Sequence, residues 1–287
     1  MKQALSFAAA LFLAWNYVLG AETHAAKGIV LKVDLAHHSL VVSCEAIPNY
    51  MDAMEMEFAV RDATAIANLK PGTAVSFMIV PRGKNLYAED ILVRSMANLE
   101  SEPLEAGKLA ALHNAMRPET KALSVGERVP DFALTDQAGK QIRLSEFSGK
   151  IVLLTFGYSR CPNPNYCFRL SNNLAQVEKR FRGQAGRELV LVTVVIDPEH
   201  DKGAELVNYA SVWKADPAVW HFLTGPLPEI QKVAGMFGTD FWSDDGFVTH
   251  TLHTVIVDRE GRLAANLEGN AFTAKQLGDL VETAIKN

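Results

Sequence analysis

Cysteine is scarce in this chain. Three cysteines cannot build a disulfide framework, and one pair plus an odd thiol points to chemistry more than to stapling. Positive charge is not in excess either. The net charge of −5 leaves no basic patch, which argues against a nucleic-acid partner. Past the first twenty residues, no apolar run is long enough to cross a bilayer. What remains is ordinary globular material. The chain has 287 residues, 48% of them hydrophobic, which is enough for two domains with sizeable cores.

The first residues read as a targeting segment. Lys2 supplies a positive start, Ala4 to Leu19 is mostly apolar, and Val18-Leu19-Gly20 before Ala21 offers small residues for cleavage. Residues 1–20 are therefore expected to be a signal peptide. The alternative is a retained anchor, and only then does the chain meet a membrane. Either way the remainder is exported to a periplasm-like compartment, where disulfides are permitted.

Residues 27–96 read as short strands. Leu31, Val33 and Leu35 alternate with Lys32 and Asp34. Ala36-His37-His38-Ser39 is a turn, and Leu40 to Cys44 is the partner strand. Met54 to Val60, Thr73 to Val80 and Asn85 to Val93 follow, separated by Pro-Gly and Pro-Arg-Gly-Lys turns. About five short strands over some seventy residues argue for a small closed all-β barrel. Residues 97–122, rich in Glu and Ala and broken at Arg117-Pro118, are expected to be a linker.

Residues 123–287 alternate strand and helix patterns. Val129 to Leu134 with Lys140 to Leu144 predicts a hairpin. Ile151 to Tyr158 and Glu188 to Ile196 are continuous apolar runs, as strands buried on both faces require. Phe168 to Phe181, Gly203 to Trp213 and Thr273 to Ile285 have helical spacing, and Thr254 to Asp258 pairs with Arg262 to Leu267 across Arg259-Glu260-Gly261. The order predicts an α/β domain of thioredoxin-like type.

All three thiols fall in two places. Cys161 and Cys167 follow the first buried strand as Cys-Pro-Asn-Pro-Asn-Tyr-Cys. Cys167 lies at or near a helix start, whose unpaired N–H groups favour a thiolate. The Cys-x5-Cys spacing is wider than the redox Cys-x-x-Cys and large enough to wrap a metal ion. The bland alternative is a plain disulfide, expected in the oxidised apo form. His250 and His253, in Thr249-His250-Thr251-Leu252-His253-Thr254, are the candidate third ligands, and spacing alone does not choose between them. The second place is Cys44 with Met51, Met54 and Met56. Met54 and Met56 are two apart on a strand and share one face, with Glu55 and Glu57 on the other. Thiolate and thioether are soft donors that select Cu(I), and imidazole also suits copper. The competing reading makes both methionines core filler.

Residues 123–287 resemble the Sco/SenC family. The residues that carry the likeness are Phe156-Gly157-Tyr158-Ser159-Arg160-Cys161-Pro162, Val195-Ile196-Asp197-Pro198-Glu199-His200-Asp201, Asp216 to Gly225, and His250 eleven residues before Gly261. The resemblance implies copper bound by Cys161, Cys167 and His250, an acidic Asp197 behind the site, and delivery to the CuA centre of cytochrome c oxidase, with thiol reduction there as a related role. The family's common loop is Cys-x3-Cys, so the wider loop here leaves the client open. Another periplasmic cuproprotein is the alternative.

Residues Cys44 to Phe58 resemble the copper-binding segment of CusF-like domains, which are five-stranded OB-like barrels binding Cu(I) through a histidine and two methionines. That likeness implies Cys44, Met54 and Met56 as ligands, with Cys44 where the family has histidine and Met51 near a capping aromatic. Two sites on one chain suggest handover across a flexible tether, which raises effective concentration. The sequence thus predicts an exported, two-domain copper metallochaperone without turnover of its own. The alternatives are a thiol–disulfide reductase using Cys161 and Cys167, and copper buffering. A peroxiredoxin-type peroxidase ranks below these, because Tyr158 stands where that family has threonine.

Overall fold

A computed structural model describes residues 22–94, 122–244 and 246–287. The signal segment expected at 1–20 lies outside them, as does nearly all of the linker expected at 97–122.

The N-terminal strands form a closed barrel in the order β1-β2-β3-β5-β4, with β1 His24–Asp34, β2 Ser39–Cys44, β3 Met54–Ala59, β4 Ala74–Arg82 and β5 Asn85–Val93. Closure removes free sheet edges, and the inward side chains fill the lumen. Val30, Leu40, Val42, Cys44, Phe58, Val75, Phe77 and Ile79 form that core. The alternation expected through Leu31, Val33 and Leu35 does not put them on one face. The β1–β2 register shifts between Val30 and Lys32, a bulge that leaves Leu31 facing outward while Val33 faces in. Leu35 is exposed.

The C-terminal unit holds a mixed five-stranded sheet, order β10-β9-β8-β13-β14. Its strands are β8 Ile151–Gly157, β9 Leu189–Val195, β10 Trp220–Leu223, β13 His253–Val257 and β14 Leu263–Glu268. β8, β9 and β10 run parallel, and β13 lies antiparallel to β8. Every residue of β8 and β9 is buried, as their unbroken apolar runs demand. Helices α1 Arg169–Arg180, α2 Gly203–Val212, α3 Leu227–Met236 and α4 Ala274–Lys286 flank the sheet. This is a thioredoxin-like layout. The expected hairpin is the short pair β6 Ala133–Thr135 and β7 Gln141–Arg143. A second hairpin, β11 Phe241–Asp244 with β12 Phe247–His250, has no counterpart in the sequence reading.

The barrel does not hang free of this unit. Ile29, Leu31 and Ala74, on its outer face, join the same buried cluster as Ala265, Leu267, Leu277, Leu280 and Val281. Ser43 Oγ donates to Asp279 Oδ2 at 2.6 Å, and Gln276 Nε2 donates to the Ser43 carbonyl at 3.3 Å. At Gly72, with φ of +94°, an added Cβ would lie 2.8 Å from the Asn266 carbonyl oxygen, so only glycine allows the turn to lie against β14. The handover expected across a flexible tether therefore meets a docked barrel.

Candidate metal centre

β8 delivers Tyr158 to Cys161 at the carboxyl end of the sheet. Pro162 and Pro164 bracket Asn163, which is extended (φ −100°, ψ 111°) and whose side chain accepts from Asn165 N–H to start a wide helical turn, Pro164–Phe168. That turn runs directly into α1, so Cys167 sits just ahead of a helix start. Asn270 Nδ2 donates to the Asn165 carbonyl and ties the loop's middle to the segment before α4. All three cysteines are free thiols.

The structure brings Cys167 and His250 together, with Sγ and Nε2 3.6 Å apart. His250 closes β12. Its Nδ1 lies 2.9 Å from the Thr251 carbonyl oxygen, an atom that can only accept. The proton therefore sits on Nδ1, and the Nε2 lone pair faces the sulfur. Burial lowers the His250 pKa to about 4, keeping the ring neutral and able to ligate. His253 points elsewhere: its Nδ1 lies 2.9 Å from Asn266 Oδ1, and the ring packs against Gly238.

The two thiols share one proton. A hydrogen bond from Cys167 lowers the Cys161 pKa to about 6, against the opposing effect of burial. The same bond, reinforced by burial, raises Cys167 well above an ordinary thiol. Cys161 is the half-buried, reactive sulfur and Cys167 the buried one. Among the described residues, no three His, Cys, Asp or Glu side chains already converge on one point. Cys161–Cys167 and Cys167–His250 are two adjacent pairs that share Cys167.

Behind the loop, Arg160 Nη2 donates to Asp197 Oδ2 at 2.7 Å and to the Gly246 carbonyl at 3.3 Å. His200 Nδ1 lies 2.8 Å from Asp197 Oδ1. Burial would raise the Asp197 carboxyl, but the bonds from His200 and Arg160 outweigh it and hold it down. Asp197 thus holds Arg160, the chain neighbour of Cys161. Val248 N–H donates to Tyr158 Oη at 3.3 Å, a second tie between loop and hairpin. Sequence reasoning missed this hairpin support, although Asp245-Gly246 is a turn signal between two apolar runs.

In the barrel, Cys44 lies opposite Met54 and Val42 opposite Met56 across β2–β3. Opposed residues of an antiparallel pair share a face, so Cys44, Met54 and Met56 all point to the lumen. Met51 and Met56 pack against the lumen core, and Met54 is 46% exposed at its mouth. Glu55 and Glu57 lie on the outer face and are exposed. Cys44 is fully buried, and burial pushes its pKa up to about 12. The donors in both places fit a soft ion, with two thiols and an imidazole in one and a thiol with thioethers in the other.

The family model SCO1/SenC matches residues 121–286, more than half of the chain. The chain belongs to the SCO1/SenC family. A second family model, copper binding periplasmic protein CusF, matches residues 23–91, so this SCO1/SenC protein carries a CusF-like barrel. The bovine mitochondrial SCO2 homolog is 28% identical over 158 residues, covering 53% of this chain and 57% of that protein. The SCO1 protein homolog of Bacillus subtilis is 25% identical over 107 residues, 37% and 54% of the respective chains. The chain thus spans little more than half the length of these two relatives. Among solved structures, a SCO1/SenC family lipoprotein from Bacillus anthracis is 22% identical, with a TM-score of 0.50 over 58% of this chain and 99% of that one. That likeness shows the fold of the C-terminal unit. Yeast Sco1 has been solved with copper bound and is 24% identical, with a TM-score of 0.48 over 55% of this chain and 88% of that one. Copper is the ion named in the description of the CusF family, whose model covers the barrel.

Proposed function

We propose that this SCO1/SenC protein is an exported copper chaperone with two loading sites. Cys161, Cys167 and His250 form the delivery site, and Cys44, Met54 and Met56 form the second. One observation carries the reading: the His250 Nε2 lone pair faces Cys167 Sγ at 3.6 Å, with Nδ1 tied off on a backbone carbonyl. A histidine held in one tautomer, beside two thiols that share a proton, is a metal ligand in waiting. Copper binding draws the remaining proton from the thiol pair and pulls Cys161 towards His250. The half-open site then gives the ion up as readily as it takes it, which suits delivery rather than storage. By the family's association, the client is the CuA-bearing subunit of cytochrome c oxidase, with another periplasmic cuproprotein as the alternative.

The test is an anaerobic Cu(I) titration of the reduced protein beside Cys161→Ser/Cys167→Ser. Elemental analysis reads stoichiometry, and X-ray absorption reads ligand type. The expected result is two coppers falling to one, with the nitrogen scatterer lost. Two coppers retained in the variant would refute the site.

The unequal thiols favour a second reading, a thiol–disulfide reductase acting on partner cysteines. Here the Cys161 thiolate attacks a partner disulfide, one partner sulfur leaves as a thiol, and Cys167 resolves the mixed disulfide. Trapping of that mixed disulfide by Cys167→Ser, with no tight copper in the parent, would favour this activity.

A further inference from the structure

The way the barrel docks decides where its copper can go. Successive residues of a strand point to opposite faces. Ser43 points out of the barrel, is buried, and donates to Asp279 Oδ2 of α4 at 2.6 Å. Gln276 Nε2, one turn earlier on the same helix, donates to the Ser43 carbonyl. Cys44 is the next residue, so its sulfur points the other way, into the lumen with Met54 and Met56. β2 itself, and α4 beyond it, therefore stand between the barrel sulfurs and the unit that carries Cys161. The exposed side of this donor set is Met54, at the mouth.

Nothing about this docking is casual. Ile29, Leu31 and Ala74 are buried in one cluster with Leu267, Leu277, Leu280 and Val281. Asp279 gathers Ser43, Arg180 Nη1 at 2.8 Å and Lys275 Nζ at 2.7 Å, so undocking would strip a buried carboxylate of one partner and expose an apolar face. An ion handed directly between two donor sets must be bonded to both for a moment. The docked arrangement denies that to the two sets of one chain.

We propose that copper passes between the barrel site and the Cys161–Cys167 site from one protein molecule to another, not within a chain, and that a second copy of this chain is a competent partner. The inference rests on the proposed function, since both places must hold copper. The step is a ligand exchange without redox. Cu(I) leaves the Cys44, Met54 and Met56 sulfurs and is bonded by Cys161, Cys167 and His250. Cys44 takes up a proton from solvent as the ion leaves it, and Cys161 and Cys167 release to solvent whatever thiol protons they hold as they bind.

The experiment uses the full wild-type chain. The Cys161–Cys167 pair is first oxidised to its disulfide, and one equivalent of Cu(I) is loaded anaerobically. The pair is then reduced, and protection of Cys161 from alkylation is followed by mass spectrometry over a range of protein concentrations. The expected result is a second-order process, with tenfold dilution slowing the appearance of protection about tenfold. A rate independent of concentration would overturn the proposal, as would absence of transfer at every concentration. Failure of the oxidised chain to hold any copper is a separate result. It would remove the barrel site itself, and this inference with it.

Discussion

The two donor sets are built on different principles. In the barrel, neighbouring strands hold Cys44 opposite Met54 and Val42 opposite Met56, so the ladder itself sets the spacing of the sulfurs. At the sheet end, Cys161 and Cys167 lie on a proline-bracketed loop and His250 on a hairpin, and these pieces approach without closing on one point. The barrel set hangs on two paired strands, carries one thiol, and is fully buried at that thiol. To hold one ion as proposed, the loop set must move to close. A site that needs no motion suits holding an ion, and one that pays for closure suits releasing it.

The sharpest way to break this contrast is to ask whether the barrel is a separate object at all. Leu280→Ala, in the cluster shared by both units, is expected to destabilise the protein by about 2–5 kcal/mol. Hydrogen exchange should then accelerate at β2 as well as in the sheet. An unaltered β2 would show that the two regions do not share a core. Next comes His250→Ala. Outer partners of a metal ligand alone are worth about 10–100-fold in affinity, so losing this ligand should weaken loop copper by roughly a hundredfold or more. Copper in the barrel should be unchanged, as read by competition with a Cu(I) chelator. A uniform loss at both sites would erase the distinction. Met54→Leu is gentler. The swap nearly conserves volume and should cost less than about 1.5 kcal/mol in stability. It should weaken barrel copper by about tenfold while sparing the loop.

The smallest effect is a pH dependence. Folded His250 has its pKa lowered from 6.5 to about 4 by burial. Between those values the unfolded chain binds a proton that the folded one refuses, so stability is full above about pH 6.5 and falls as pH drops towards 4. Denaturant midpoints of the apo protein at pH 7 and pH 5 should show the decline, and His250→Asn should flatten it. A decline of the same size in that variant would assign it to other groups.

Much of this was legible in the sequence, for identifiable reasons. The barrel strands announce themselves through turn residues and, at Met54 to Glu57, through period two, which β1 breaks at its bulge, while β8 and β9 do so through uninterrupted apolar runs. Cys44, Met54, Met56, Cys161, Cys167, His250 and His253 stand out by side-chain chemistry alone. What separates His250 from His253 is a hydrogen-bond partner, Thr251 in one case and Asn266 in the other, and spacing carries no trace of either. β11 and β12 are four residues each, too short for periodicity to register. The docking was invisible for a related reason. Ser43 and Asp279 are 236 positions apart, and no local pattern links a serine on an early strand to an aspartate on the last helix.

The bulge in β1 has a consequence for how such a chain can evolve. By turning Leu31 outward while Val33 faces in, it lets one strand serve two cores at once. A barrel made this way has given up its portability. Cut out and joined to another protein, it would carry Ile29 and Leu31 as a bare greasy seam, and the unit left behind would show a matching scar at Leu277 and Leu280. The fusion has become a single inheritance, and the two halves can drift only together.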